Sequence, residues 1–370
     1  MRIGFVGGGT GGHFYPLIAV AEVLAKDPNQ PDFYYFGPTA YDISLLNELD
    51  IKYVYCPAGK LRLYPSIQNF FDLFRNFFGI FVAIWKLYVI YPDVIFSKGG
   101  YTSVPILIAA KLLCIPVVIH ESDAVPGRAN LLAKNFARYI AISYPEAGQY
   151  FAKEKTALTG IPIRKAISTP DPDPFTTLGI PNDLPLVYVT GGSLGSERIN
   201  NLLLRCLDEL LPQVRIFHQA GLTQKNEIAL TAKSLITDPV LQGHYYLRDT
   251  IDGKTVNALL TAASVVISRA GSTSLFEIAL HGTPSIVIPI PEDISRDQRS
   301  NAYAFARSGA ASVIEERNLT EALLISEIRS IIGDQAKWQK MSQSAKQFAE
   351  NNAAEKIATI LIKIGTEHGS

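Results

Sequence analysis

Five glycines fall within six positions of the run Gly7-Gly8-Gly9-Thr10-Gly11-Gly12-His13, between the apolar segment Arg2 to Val6 and Pro16. Glycines let a backbone come close to a ligand, and the start of a helix presents free N–H groups and the positive end of its dipole. Strand, glycine loop and helix therefore make a site for an anion such as phosphate. Pro16 suits the first turn of that helix, and Leu17, Val20, Ala21, Leu24 and Ala25 recur at helical spacing. Gly7, Gly9 and Gly12 also fit the dinucleotide fingerprint G-x-G-x-x-G, which asks for an acid at the end of the second strand to hold a ribose hydroxyl. The second strand, Phe33 to Phe36, ends in Gly37-Pro38, with Asp32 at its start. An NAD site is disfavoured and phosphate binding stands.

Five further stretches offer matching chemistry. Lys98-Gly99-Gly100-Tyr101-Thr102-Ser103 repeats the glycine-loop logic before Pro105 and suits a second anion. His120-Glu121-Ser122-Asp123 closes an apolar run with ionisable groups; the plainer alternative is a helix cap with a half-buried histidine. Gly191-Gly192-Ser193-Leu194-Gly195 restates the opening unit and suits a diphosphate. In Arg269 to Glu277, the residues Ser272, Thr273 and Ser274 offer donors to phosphate, and Glu277 can accept both hydroxyls of a ribose. Ser274 and Glu277 also read as a capping box. Asp297-Gln298 suits sugar hydroxyls, or else is a solvated helix start. No Asp-x-Asp ends a strand to carry a divalent metal on a diphosphate, since Asp171-x-Asp173 lies in a proline-rich stretch. No cofactor and no metal are expected; helix N-termini, Ser193 and Arg164 would meet the leaving-group charge.

These loops need a scaffold that presents strand ends. Apolar segments near residues 2–6, 33–36, 53–56, 93–96, 116–120 and 156–159 alternate with helical patterns, as a parallel sheet covered on both faces requires. Gly160-Ile161-Pro162 and Pro170-Asp171-Pro172-Asp173-Pro174 then break the pattern and mark a linker. Segments near 186–190, 214–217, 264–267, 285–288 and 311–314 follow. At 370 residues the chain fits two doubly wound α/β domains facing each other, 1–163 and 164–344, with a helical pattern from about Gln335 to Lys363 whose end, about 345–370, reaches back to the first domain.

Zero net charge with 18 % charged residues argues against nucleic acid as a partner. Cys56, Cys114 and Cys206, in no metal or redox spacing, read as small buried residues in a reducing compartment, and Met1 leads straight into a strand, so a cytoplasmic location is expected. Residues 70–88 are apolar almost all round. The uncharged run between Arg75 and Lys86 is ten residues long. A bilayer needs about 20, so a transmembrane helix is rejected. A buried core helix and an interfacial helix, with Arg62, Arg75 and Lys86 at lipid headgroups, both remain open.

The motifs GGGTGGHFYP, SKGGYTSVP, HESDAVPG, TGIPIR, GGSLGSERIN, RAGSTSLFEIALHGTPSIVIP and DQRSNA, in this order across nearly the whole chain, resemble the MurG family. Its members are inverting hexosyltransferases that move N-acetylglucosamine from UDP-GlcNAc to undecaprenyl-pyrophosphoryl-MurNAc-pentapeptide (lipid I), giving lipid II for the peptidoglycan cell wall, and so bear on cell shape and division. The resemblance implies a GT-B fold of two Rossmann-like domains across a cleft, acceptor in the first and nucleotide sugar in the second. It implies an acceptor site at Gly9, Thr10, Gly11, Gly12, Gly99, Gly100 and Tyr101. It implies donor contacts from Thr10, Gly11, Gly12, Asp123, Arg164, Ser193, Ser272, Thr273, Ser274, Glu277 and Gln298. The general base lies among His13, Glu121 and Asp123. The family usually has His-Glu-Gln-Asn where this chain has His120-Glu121-Ser122-Asp123, so a carboxylate stands where an amide would touch the donor sugar. A polyprenyl-linked acceptor tips residues 70–88 towards a membrane-facing surface and places the protein peripherally on the cytoplasmic side of the bacterial membrane. The alternatives are a GT-B transferase for another lipid or small acceptor, or a non-catalytic membrane-associated nucleotide-sugar binder.

Overall fold

The structure, a computed structural model of the chain, describes residues 1–28, 31–60, 62, 66–192, 194–295, 297–349 and 352–369. It divides into two compact units, Met1–Lys165 with Asn351–Ser370, and Ala166–Glu350.

In the first unit the strands are β1 (Arg2–Val6), β2 (Asp32–Gly37), β3 (Ile51–Tyr55), β4 (Val94–Ser97), β5 (Val117–Glu121), β6 (Tyr139–Ile142) and β7 (Thr156–Leu158). All pair in parallel, in the order β3-β2-β1-β4-β5-β6-β7. The second unit holds β8 (Leu186–Thr190), β9 (Arg215–Gln219), β10 (Tyr245–Arg248), β11 (Val265–Ser268), β12 (Ser285–Val287) and β13 (Ala311–Val313), again parallel, in the order β10-β9-β8-β11-β12-β13. Both are doubly wound sheets whose order reverses beside the first strand, between β1 and β4 and between β8 and β11. The crevice at such a reversal, at the carboxyl ends of the strands, is where ligands bind. The loops after those four strands are Gly7 to His13, Lys98 to Ser103, Gly191 to Gly195 and Arg269 to Ser274.

Two strands went unread in the sequence. β6 is a four-residue segment held between β5 and β7, and β10 is a half-buried edge strand on β9. Each owes its conformation to its neighbours more than to a pattern of its own. The single long C-terminal pattern is two helices. Gln335–Phe348 ends where Ala349 turns extended (φ −108°, ψ 121°), and Ala353–Gly369 belongs to the first unit. There Ala354, Ile357, Ala358, Leu361 and Ile364 pack with Ile3, Phe5, Leu17, Ile18 and Val94. Fully burying Ile357 and Leu361 contributes about 1.5–3 kcal/mol apiece.

The apolar stretch forms the helix Ile67–Ile90, started by Ser66, whose hydroxyl accepts from Gln68 N, and stopped at Tyr91 in the left-handed conformation. The buried-core reading fails. Its buried residues are the small or narrow Asn76, Gly79, Ala83 and Leu87, a stripe at helical spacing that docks on the helix Val104–Leu112. A methyl group at Gly79 would collide with the Pro57 carbonyl oxygen. Phe70, Phe71, Phe74, Phe77, Phe78, Phe81, Trp85 and Tyr88 all stand exposed, Phe77 at 62 % and Trp85 at 64 %. By length and composition this is, among the described residues, one helix long and apolar enough to cross a membrane, so the length argument against a span does not hold. What opposes a span is the docked stripe. Arg62, expected at headgroups, pairs with Asp72 at 2.7 Å. Cys56 and Cys206 are buried, but Cys114 is exposed, in a turn at φ 55°.

Candidate functional site

In the first unit the loops after β1 and β4 lie against each other. The Val6 carbonyl accepts from Lys98 N (2.8 Å), and the Tyr35 hydroxyl donates to the Gly7 carbonyl (2.9 Å). The Tyr101 ring packs on Gly9, where a Cβ would come within 3.0 Å of it. Gly99 and Gly100 sit at φ 77° and 79°, which a side chain would strain. The helix Gly11–Leu24 starts after Thr10, so Pro16 lies in its second turn rather than its first, and the intrahelical bond to the Gly12 carbonyl is missing. Thr10 makes no side-chain cap; its hydroxyl meets His13 Nδ1 at 2.8 Å. Burial, then the Lys98 charge, pushes His13 down to about 4, with Asp123 pulling the other way. His13 is thus neutral at pH 7.

Beneath these loops is a buried polar cluster. Lys98 Nζ lies 2.6 Å from His120 Nδ1 and 2.9 Å from Ser122 Oγ, and His120 Nε2 lies 2.8 Å from the Gly160 carbonyl oxygen. A carbonyl only accepts, so Nε2 carries the imidazole proton and Nδ1 accepts from the lysine. Burial and the Lys98 charge hold His120 well below its usual range. Glu121 accepts from Asp123 N (3.0 Å) at one oxygen and from Gly127 N and Asn130 Nδ2 (both 2.9 Å) at the other. Burial, then the Asp123 carboxylate, pushes it up to about 7. Asp123 is half-buried. Arg164 belongs to this unit, its guanidinium 4.1 Å from the centre of the Tyr15 ring, with Nε buried and unpartnered among the described residues.

The second unit repeats the plan. Thr190 Oγ1 accepts from Gly192 N (3.0 Å) and donates to Gln219 Oε1 (3.0 Å), which also takes the Tyr188 hydroxyl (2.9 Å). That network fixes the turn that Gly192 enters at φ 86°. Ser193 lies outside the described residues. Arg269 ties three loops together. Its guanidinium donates to Ser196 Oγ (2.8 Å) and the Ile288 carbonyl (3.2 Å) and pairs with Glu316 (2.6 Å). Gly271 precedes the helix Ser272–His281 without a side-chain cap, and no acid sits in the first turn. Ser272, Thr273 and Ser274 are its first three residues, so their N–H groups have no intrahelical acceptors and suit an anion. Ser274 is inside the helix, so the capping-box reading with Glu277 fails. Glu277 is half-buried, within electrostatic reach of Tyr188. Gln298 Oε1 accepts from Ala270 N and Ile290 N (both 3.2 Å), and its amide nitrogen has no partner among the described residues.

Sequence reasoning assigned no role to Lys98, Tyr35, Asn130 or Arg269. The signal for Lys98 was a lysine directly after the strand Val94–Ser97, whose first three residues are apolar. Asn130 and Tyr35 carry no signal, because their partners are distant in sequence.

Two parallel doubly wound units, each with glycine-rich loops at its switch point, define an α/β protein of the two-domain GT-B type. Residues 3–142 match the glycosyltransferase family 28 N-terminal domain and residues 186–357 the family 28 C-terminal domain. The chain is 32 % identical over 364 residues, 98 % of its length and 96 % of the relative's, to the UDP-N-acetylglucosamine–N-acetylmuramyl-(pentapeptide) pyrophosphoryl-undecaprenol N-acetylglucosamine transferase of Borrelia hermsii. It is 34 % identical to the protein of the same name from Clostridium kluyveri, over 95 % of this chain and 97 % of that one. The fold is shared with the crystal structure of Acinetobacter baumannii MurG (TM-score 0.73, 23 % identity, covering 98 % and 99 % of the two chains). It is shared too with a Neisseria meningitidis UDP-GlcNAc 2-epimerase bound to UDP-GlcNAc (TM-score 0.71, 15 % identity, covering 98 % and 100 %). The chain belongs to the MurG family of N-acetylglucosaminyltransferases.

Proposed function

We propose that this protein transfers N-acetylglucosamine from UDP-GlcNAc to the lipid-linked diphosphoryl-MurNAc-pentapeptide, with inversion at the anomeric carbon. The observation that carries the reading is the pair of touching glycine loops at the β1/β4 switch point with a neutral histidine between them. Their N–H groups at Gly9 to Gly12 and Gly99 to Tyr101 suit the acceptor diphosphate. With its proton on Nδ1, shared with Thr10, His13 keeps the Nε2 lone pair for catalysis. Nε2 takes the proton of the acceptor hydroxyl as that oxygen attacks the anomeric carbon; the carbon–oxygen bond to UDP breaks, and UDP leaves with the electron pair. Both Glu121 oxygens are engaged by three N–H donors, which supports a loop-shaping role rather than that of base. Asp123 stabilises the imidazolium or accepts from a donor-sugar hydroxyl.

The donor diphosphate is met by the N–H groups and hydroxyls of Ser272, Thr273 and Ser274 and by Ser193, the ribose by Glu277, and the sugar by Gln298. The helix Ile67–Ile90 lies flat on the inner leaflet with its aromatic face in the headgroup region and Arg75 and Lys86 beside it.

The test is transfer of labelled GlcNAc from UDP-GlcNAc to a lipid I analogue, with chelator present. Labelled product supports the reading. UDP-GlcNAc binding without transfer to any acceptor makes the protein a nucleotide-sugar binder, and transfer only to a different acceptor overturns the assigned substrate.

A further inference from the structure

Lys98 is 1 % exposed, so its ammonium has been taken out of water at a cost that a methionine of similar shape would avoid. It is nevertheless clamped on both sides, by His120 Nδ1 and Ser122 Oγ, and His120 is itself locked by the Gly160 carbonyl. The lysine therefore joins the ends of β4 and β5 to the segment after β7. Its stem runs under the first glycine loop, where a Cβ on Gly7 would come within 2.8 Å of Lys98 Cβ. We infer that Lys98 is a positioning residue for the transfer reaction: it holds the 120–123 loop beneath the two glycine loops and supplies the fixed positive charge against which His13 and the acceptor diphosphate are set.

The charges around it fit this role. Lys98 faces His120 and Glu121 from β5, Asp123 from the following loop and His13 from the start of the Gly11–Leu24 helix. His13 in turn faces Lys98, Asp123 and the Thr10 hydroxyl, with the Tyr101 phenol on the adjacent Gly9. Burial lowers Lys98 to about 8, with the Glu121 and Asp123 carboxylates opposing, so it is charged at pH 7 and within reach of deprotonation just above. While charged, it disfavours a second positive charge on His13 and attracts the acceptor anion.

The inference rests on the reading of His13 as base, but its test does not. In the full-length protein with 13C-labelled histidine, the His13 signal of the wild type should stay that of a neutral ring down to about pH 5.5 and show a small second inflection near pH 8, as Lys98 loses its proton. Lys98→Met should move the His13 midpoint up by about one pH unit, a tenfold change in proton affinity. Ser122→Ala, which keeps the charge, should leave it in place. In the transfer assay Lys98→Met should raise the KM for the diphosphate acceptor and move the acid limb of kcat upwards, with the KM for UDP-GlcNAc unchanged. A His13 midpoint unmoved in Lys98→Met overturns the inference. If that variant does not fold, a wild-type His13 signal that does not respond at the pH where the 15N-labelled Lys98 ammonium is seen to titrate overturns it. The His13 reading fails separately, if His13→Ala keeps wild-type kcat.

Discussion

The Asn76 side chain pairs with the Gly59 backbone like a second peptide group: its Oδ1 accepts from Gly59 N at 2.8 Å and its Nδ2 donates to Gly59 O at 3.0 Å. This pair pins the middle of an otherwise apolar helix to the domain and decides which face is left outside. Asn76→Ala removes both bonds and strands two buried backbone groups, and should cost about 1–3 kcal/mol. Urea denaturation of the two proteins measures it.

The outward face should behave oppositely. Phe77 and Phe81 are 62 % and 57 % exposed, with their rings 5.0 Å apart. Phe77→Asp with Phe81→Asp should change folding stability by no more than about 1 kcal/mol, mostly helix propensity. Flotation with anionic phospholipid vesicles should show binding by the wild type and little by the variant. A variant that still floats with the vesicles removes the membrane role from this face.

For the chemistry, His13→Ala should lower kcat by about 10²–10⁴-fold with little change in either KM, the range expected for loss of a general base. Thr10→Val, which removes only the partner of Nδ1, should give a smaller loss of kcat. Steady-state kinetics against both substrates separates these outcomes from a binding defect.

Stability should fall on acidification. His13, His120 and His218 are all held below the usual 6.5, by burial first; His218 reaches about 3, its ring nitrogens engaged by Tyr245 and Asn200. Between these values and 6.5 the unfolded chain binds more protons than the folded one. The contribution is therefore complete above pH 6.5 and lost as pH falls, by up to about 1.4 kcal/mol per pH unit for each histidine. Glu121, raised to about 7, acts in the opposite sense between its unfolded value and 7, and offsets one of the three. His218→Gln should lower stability at pH 8 but flatten the slope between pH 6.5 and 5. Denaturation midpoints across that range check it.

Two glycines of one loop should respond differently. Gly195 has φ 77°, and a Cβ there would strike the Ala220 carbonyl oxygen; Gly192 has φ 86° with open space beside it. Gly192→Ala should cost only the left-handed strain, about 1–2 kcal/mol. Gly195→Ala should cost clearly more, because the β8 loop must also part from the β9 loop. Thermal melts of the two variants compare them.

The sequence by itself determined the alternation of strands and helices, the doubly wound class and the four glycine or hydroxyl loops, because each is written in consecutive residues whose backbone freedom or periodicity is local. It placed Gly7 to His13 and Arg269 to Glu277 at strand ends for the same reason. The tertiary structure decided what depends on contacts distant in the chain. β6 and β10 exist because their neighbours pair with them, and the Ala353–Gly369 helix joined the first unit because its apolar face completes that core. The 67–90 helix turned its aromatics outwards because Asn76 pairs with the Gly59 backbone and Gly79 leaves room for the Pro57 carbonyl, which fixes the opposite face inwards. Glu121, a free carboxylate in the sequence, became a loop fastener once Gly127 and Asn130 folded onto it. Lys98, one residue of a glycine motif, became the charged centre of the first loop cluster, because His120 and Ser122, more than twenty positions further along, meet it at the end of β5, and the Gly160 carbonyl locks His120 in place.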